Sequence, residues 1–262
     1  MSGVKRTKIA RESQLSTEQV KLAVPALFSY LEKTSKNEKQ LFSEDAAFWL
    51  LMSLKKIPTP DKKPKLLKVP NSFSSGSEVC LFTKLPGKRV KEQLKAKGVT
   101  CVTKVISVTK LRKNYKSFQD KRTLCSQYDA FLCDERIYHL IPKAIGKTFF
   151  SRKKEPTPVD LTKVNLDEEI KRALNSTKLR LGNGTCSAIK VGHSGQSQEE
   201  LVENIVAVVD EIAKKIPRGW SNIQCIHLKT AESIALPLYN SLPDVENVIE
   251  RNESPKKKKK LD

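Results

Sequence analysis

Residues 177–239 alternate between short β-favouring runs and one strongly amphipathic stretch, and the rest of the chain is read around them. Runs 177–181 and 186–191 are strand-like. Asn183-Gly184 between them predicts a tight hairpin, because both residue types tolerate positive φ. Gly192 ends the second run. Ser197 stands three residues before Glu200, the spacing of a capping box. Leu201, Ile205, Val208 and Ile212 then recur at helical spacing. Pro217 and Gly219 end that helix. Residues 223–228 are a further strand, and 229–233 are its polar exit.

The same pattern organises the rest of the chain. A helix starts at Ser16, with Gln19 at capping-box spacing and an apolar stripe of Val20, Ala23, Val24, Leu27 and Leu31. Pro25 predicts a kink or a start near Val24, since an interior proline removes a hydrogen bond. The apolar run 48–54 fits either a buried strand or a short helix by periodicity alone. After Pro58, Pro60 and Pro64, residues 66–69 read as a returning strand, so the two would form an antiparallel ribbon around a basic loop. Residues 71–77 are polar and Ser-rich, a first interdomain crossing. Then come a strand at 78–83, a helix at 88–97 stopped by Gly98, a strand at 101–106, a long basic helix at 110–127, a strand at 130–133 and a helix at 135–145. Strand–helix alternation implies a parallel sheet with crossover helices. Pro156 and Pro158 mark the return crossing at 151–158, and 166–174 is a short helix.

The expected fold class is therefore α/β. A split domain with antiparallel strands (15–72 and 160–240) is interrupted by an inserted Rossmann-like parallel domain (73–159). Residues 1–14 read as a disordered basic terminus and 241–262 as a basic tail.

Charge changes the picture more than composition does. The net charge is +20 over 262 residues, which points to a polyanionic partner. Residues 73–159 alone carry 19 Lys/Arg against 7 Asp/Glu, so a folded basic surface is expected besides any tail. No apolar run is long enough to span a membrane, and residues 1–14 lack the apolar core of a secretory signal. Cys80, Cys101, Cys125, Cys133, Cys186 and Cys225 lie mostly in apolar runs and include no Cys-x-x-Cys pair. They read as reduced, buried thiols rather than a zinc site.

Candidate chemistry is sparse. No Gly-x-Gly-x-x-Gly or Gly-Lys-Ser/Thr loop follows the strand at 78–83. Pro86-Gly87-Lys88 reads as a strand–helix turn. His139, His193 and His227 have no Cys or carboxylate neighbours at nucleophile or metal spacing, and Ser194-Gly195 lacks the nucleophile elbow. The expectation is no enzyme, no metal, no cofactor and no small-molecule substrate. Lysine and arginine instead suit phosphate contact. Duplex RNA is recognised mainly through shape, 2′-hydroxyls and backbone. Lys229, Thr230 and Ser233 offer one charge and two hydroxyls; alone, they would read as a solvated strand end.

Three stretches give that strand end more weight. Ala188-Ile189-Lys190-Val191-Gly192-His193, Glu200-Leu201-Val202-Glu203-Asn204-Ile205 and Ile226-His227-Leu228-Lys229-Thr230 resemble, in order and spacing, the ribosomal protein L-one family. Leu81-Phe82-Thr83-Lys84 and Ser233-Ile234-Ala235-Leu236-Pro237 look like its nucleolar branch, which works in ribosome assembly. The resemblance implies the two-domain fold, with 48–54 as a strand. It implies ribosomal RNA or its precursor and pre-ribosomal assembly proteins as partners, with no membrane, and a nucleolar or nuclear location. The family's RNA site includes the matching strand end, a basic residue followed by hydroxyls, Met and Gly. Lys229 and Thr230 match; Ala231, Glu232 and Ser233 replace the rest. Trp49 stands where the family has an acid on its first strand, and Phe42 lies near its Phe.

These departures fit a factor that holds precursor RNA through broader basic surfaces. Further candidates are Lys62, Lys63, Lys65 and Lys68 on the expected ribbon, Lys110, Arg112 and Lys113 on the long helix, and Arg152, Lys153 and Lys154 at the hinge. Lys256, Lys257, Lys258, Lys259 and Lys260 suit a nuclear-import signal. A structural protein of the large-subunit stalk and a nucleolar protein-interaction module stay open as alternatives.

Overall fold

The computed structural model describes residues 14–37, 46–61, 63–72 and 78–241, with the side chains of 35–37 left out. Helix α1 (Thr17–Asn37) leads to strands β1 (Ala47–Leu54) and β2 (Lys65–Lys68). Then follow β3 (Val79–Thr83), α2 (Gly87–Ala96), β4 (Val102–Ser107), α3 (Val108–Asn114), α4 (Phe118–Gln127) and β5 (Ala130–Asp134). A 3-10 segment (Glu135–Leu140), α5 (Ile141–Ile145), α6 (Lys147–Ser151), β6 (Thr157–Val159) and α7 (Leu166–Leu174) come next. Strands β7 (Ser176–Leu179) and β8 (Cys186–His193), α8 (Gln198–Lys215), a 3-10 segment (Gly219–Asn222), β9 (Ile223–Lys229) and β10 (Leu236–Asn240) complete the order.

The split domain is built on an antiparallel sheet of order β10-β9-β1-β8. β1 has strict period-two burial: Phe48, Leu50, Met52 and Leu54 are buried, while Ala47, Trp49, Leu51 and Ser53 are half-buried. That alternation is the sign of a strand with one face on a core. Helix α8 supplies Leu201, Ile205, Val208, Val209 and Ile212 to the core, and α1 supplies Val20, Val24 and Leu27. The Phe28 and Phe48 rings meet at 5.2 Å. Pro25 lies inside an uninterrupted α1.

Two expected pairings are overturned. β1 does not pair with β2, because both of its edges are taken by β8 and β9. β2 pairs instead with β7 as a separate two-stranded ribbon, whose Leu67 and Leu179 reach the same core. Nor do β7 and β8 form a hairpin ladder. They touch through side chains: Thr177 Oγ1 donates to the Lys190 carbonyl and Ser187 Oγ to the Arg180 carbonyl. Positive φ occurs at Lys153, Arg218, Gly98, Gly146 and Gly219 among the described residues, not at Asn183 or Gly184. The connection is therefore not the tight turn that Asn-Gly suggests, since β7 and β8 spend their backbone groups on different partners.

The start of α8 matches its reading. Ser197 Oγ accepts from the Glu200 amide at 3.2 Å, and Glu200 Oε2 accepts from the Ser197 amide at 3.1 Å. Ser197→Ala is expected to cost about 0.5–2 kcal/mol, read as a lower denaturation midpoint in urea at unchanged slope.

The inserted domain is a parallel sheet of order β4-β3-β5-β6 with helices on both faces. Cys80, Phe82, Phe131 and Cys133 face α3 to α6 through Leu111, Leu124, Ile141, Ile145 and Phe149. Val79, Leu81, Leu132 and Val159 face α2 and α7 through Val90, Leu94, Leu166 and Ile170. Helix α7 thus packs on the inserted sheet, although its position in the chain suggested the split domain. The long helix at 110–127 is broken in two: Tyr115 ends α3, and Ser117 caps α4 by accepting from the Gln119 amide. The helix at 135–145 begins as a 3-10 turn, turns α-helical at Ile141 with Pro142 in its first turn, and stops at Gly146 with φ of 72°. The return crossing contains β6, an edge strand on which Pro158 is tolerated.

Candidate nucleic-acid interface

The face of β1 turned away from the core lies in the middle of the antiparallel sheet. Cross-strand register places Trp49 opposite Lys190 on one side and Lys229 on the other. Below them, Leu51 lies between Ala188 and His227, and Ser53 between Cys186 and Cys225. A lysine–indole–lysine row therefore crosses one end of this face. The hinge adds a third cation: Lys153, at φ of 57°, brings Nζ to 5.7 Å from the Trp49 ring centroid. A cation over an indole is held by the ring quadrupole. Among the described residues, Lys153 and Lys229 enter no ion pair.

The strand end at 229–233 is not an open exit. β9 is an inner strand, and residues 230–235 connect it to β10. Thr230 is 2% exposed and Ser233 is 8% exposed. Ser233 Oγ accepts from the Thr230 amide at 2.8 Å and donates to the Ile234 carbonyl at 3.1 Å. In this structure the serine hydroxyl shapes the turn, while Glu232 and Ile234 stand at its surface. Pro237 concealed β10 in the sequence, since proline within a run argues against a strand except at a sheet edge, where β10 lies.

The other sequence candidates are scattered. Lys63 pairs with Glu135 at 2.7 Å, linking β2's approach to the inserted domain. Lys65 pairs with Asp61 at 3.2 Å and donates to the Lys215 carbonyl. Lys68 is exposed, and its amide donates to Glu211. Arg152 is exposed just past α6. Lys154 turns inward, donating to the Cys125 and Tyr128 carbonyls at 3.3 and 2.9 Å. Phe42, Lys62 and Lys256 to Lys260 lie outside the described residues. The structure thus gathers Lys153 and Lys229 and adds Lys190 and Trp49 to them. Lys190 was legible only through the strand register.

Behind the hinge, Glu155 accepts from Tyr138 Oη and Arg180 Nη1, each at 2.6 Å, and its carbonyl accepts from Lys178 Nζ. Arg180 also lies 5.6 Å from the Phe150 ring centroid. These contacts tie β7 of the split domain to the inserted domain. Burial pushes the Lys178 ammonium down to about 8, against the opposing pull of Glu155. Burial pushes the Cys80 and Cys133 thiols up to about 12.

A pH profile follows. The unfolded chain holds the Lys178 proton more tightly than the folded one, so stability rises as pH passes 8. Above the ordinary thiol value of 9.0 the unfolded chain loses two protons that the folded chain keeps, so stability falls. Thermal melts across this range are expected to peak between pH 8 and 9. Lys178→Met is expected to remove the rise and keep the fall.

Among the described residues, no group of three or more His, Cys, Asp or Glu could hold a metal ion, and no helix is long and apolar enough to cross a membrane. The fold and this face define a two-lobed α/β protein whose split lobe presents a cationic, aromatic-centred sheet surface. The chain belongs to the Ribosomal protein L1p/L10e family, whose model matches residues 31–234. It is 34% identical over 236 residues to Ribosomal L1 domain-containing protein 1 of Mus musculus, covering 87% of this chain and 52% of that protein. It is 35% identical over 210 residues to a putative ribosome biogenesis protein of Schizosaccharomyces pombe, covering 77% of this chain and 56% of that protein. The Large ribosomal subunit protein uL1 of Neurospora crassa is 27% identical over 229 residues, covering 87% of this chain and 100% of that protein. The chain spans about half the length of the first two of these relatives.

Proposed function

We propose that this protein is a non-catalytic RNA-binding factor of ribosome biogenesis that holds precursor ribosomal RNA in pre-ribosomal particles, alongside assembly proteins. The observation that carries the reading is the row Lys190–Trp49–Lys229 with Lys153 above it. Lysines so placed suit phosphates, and an indole gives ribose and base a flat surface. The net charge of +20 and the similarity to a putative ribosome biogenesis protein of Schizosaccharomyces pombe support the same reading. Lys153, Lys190 and Lys229 contact phosphate, and Arg152, exposed beside Lys153, adds a further charge; Lys62, Lys63, Lys65 and Lys68 are secondary RNA contacts. Thr230 and Ser233 hold the turn that carries Lys229, and Lys154 holds the hinge. The protein works in the nucleus and nucleolus, with Lys256 to Lys260 as the import signal.

In-cell crosslinking with mapped sites tests the reading. Crosslinks from peptides of β1, β8 and β9 to precursor ribosomal RNA are expected. Partners captured after complete nuclease treatment, with no RNA crosslink, would replace it by a protein-interaction role. The full-length match to the Neurospora crassa subunit protein favours one second reading, a resident of the stalk. Sedimentation with mature subunits and not with precursors would select that reading.

A further inference from the structure

The two helical layers of the inserted domain differ in charge. On one side, α2 carries Lys88, Arg89, Lys91 and Lys95 against Glu92, while around α7 charges are mixed and paired: Lys163–Glu169 at 2.9 Å, Lys171–Asp167 at 2.7 Å and Arg172–Glu169 at 2.7 Å. The opposite layer, α3 to α6 with the 3-10 segment that adds Glu135 and Arg136, is more strongly basic. Residues 108–127 and 141–152 carry nine Lys/Arg against the single acid Asp120. Among the described residues, none of the nine enters an ion pair. Lys110, Arg112, Lys113, Lys143 and Lys147 are all exposed. Their helices neighbour one another, α3 on α5 and α4 on α6, and all rest on one sheet face.

Such a layer has no folding rationale, because like charges on one face repel and lower stability. It has a binding rationale. Each cation that neutralises a phosphate releases a counterion. Phe118 is 76% exposed at the start of α4, with Lys121 Nζ 5.7 Å from its ring centroid. That ring offers a stacking surface for an unpaired base. At the break between α3 and α4 lies an open cleft of about 320 Å³, where Asn114, Tyr115, Thr123 and Gln127 line the wall beside Lys104 and Asp120. A protein partner fits less well. Protein interfaces deplete charge at their centre, whereas this face has one large exposed apolar side chain amid its cations.

We propose that the α3–α6 layer is a second RNA surface, which grips the sugar–phosphate backbone of a structured RNA segment without reading its sequence. The proposal rests on the RNA-binding reading above and adds a contact on the other lobe. The chain then holds two RNA segments, or two parts of one, on either side of the hinge.

The test uses the full chain and an RNA hairpin of arbitrary stem sequence, with affinity measured from 50 to 200 mM salt. The variant K110Q/R112Q/K113Q is compared with K88Q/R89Q/K91Q on α2, which removes equal charge from the opposite layer. At slopes of about −0.7 to −0.9 per phosphate contact, the α3 variant should flatten the log–log plot by about 2–3. Its loss of affinity across that salt range should shrink about 20- to 40-fold. The α2 variant should leave the slope unchanged, and both should melt with the parent. An unchanged slope in the α3 variant, or an equal fall in both, would overturn the proposal. So would equal competition by polyglutamate at matched charge, which would assign the face to an acidic protein. A parent chain that binds the hairpin with no salt dependence would sink the RNA-binding reading itself, and this surface with it.

Discussion

Phe131→Ala is expected to destabilise the protein by about 3–5 kcal/mol, the largest effect of any single substitution considered. Phe131 sits on β5, an inner strand of the parallel sheet, and is 2% exposed. Its ring stacks on Phe82 at 5.7 Å and meets Phe149 edge-on at 4.8 Å and Tyr128 edge-on at 6.2 Å. Truncation would strip three aromatic neighbours of a partner at once. Part of the penalty is the lost transfer energy and part is the cavity, since strands fixed by their ladders cannot close in. Phe149 lies on α6, immediately before the hinge residues, so the loosening should reach Lys153. Phe131→Leu keeps most of the volume and should cost far less. Urea denaturation followed by hydrogen exchange checks both. Loss of protection should fall on β3, β5 and α6 and spare β1 and α8. A cost below about 1 kcal/mol for the alanine variant would mean that this core is not the packed aromatic cluster described.

What the sequence made legible follows from how local each signal is. The capping box at Ser197 and Glu200 is a three-residue relation, and both of its hydrogen bonds are present. The continuous apolar run of β1 showed no period of two in sequence, and its alternating burial came only with its packing on the core. The family resemblance settled strand against helix at 48–54, and the structure agrees. Strand partners, by contrast, are long-range choices. Asn183-Gly184 promised a hairpin because the local propensity is strong, yet β7 and β8 gain more from β2 and β1. The long basic helix concealed a break because Tyr115-Lys116-Ser117 contains neither Gly nor Pro; only Ser117 hinted at a second start.

The candidate site shows the same division. Lys229 and Lys153 were named from charge and position. Their meeting at Trp49 needed the register of three strands and a hinge that folds back, none of which a linear pattern encodes. Lys154, one residue from Lys153, looked equivalent in sequence and is not: its ammonium satisfies two carbonyls at the end of α4. The difference comes from the left-handed turn at Lys153, which sends adjacent side chains to opposite surroundings.

That contrast yields the second large prediction. Lys190→Ala with Lys229→Ala removes both cations that flank Trp49 on its own sheet. Hydrogen bonds to charged groups contribute about 1.5–3 kcal/mol each, so each lost phosphate contact should weaken binding of a structured precursor ribosomal RNA fragment about ten- to hundredfold. The salt slope should fall by about 1.4–1.8 for the pair. Both side chains leave the sheet on the side away from the core, so the melting midpoint should shift little. Lys154→Ala is expected to do the reverse, because it orphans carbonyls behind the hinge and removes no phosphate contact. It should lower the melting midpoint and leave the salt slope where it was. Binding isotherms at several salt concentrations, set beside melts of the same samples, separate the two. Should the double variant bind as tightly as the parent with the same slope, the open sheet face would not be the RNA surface, and the basic helical layer of the other lobe would have to carry the contact alone.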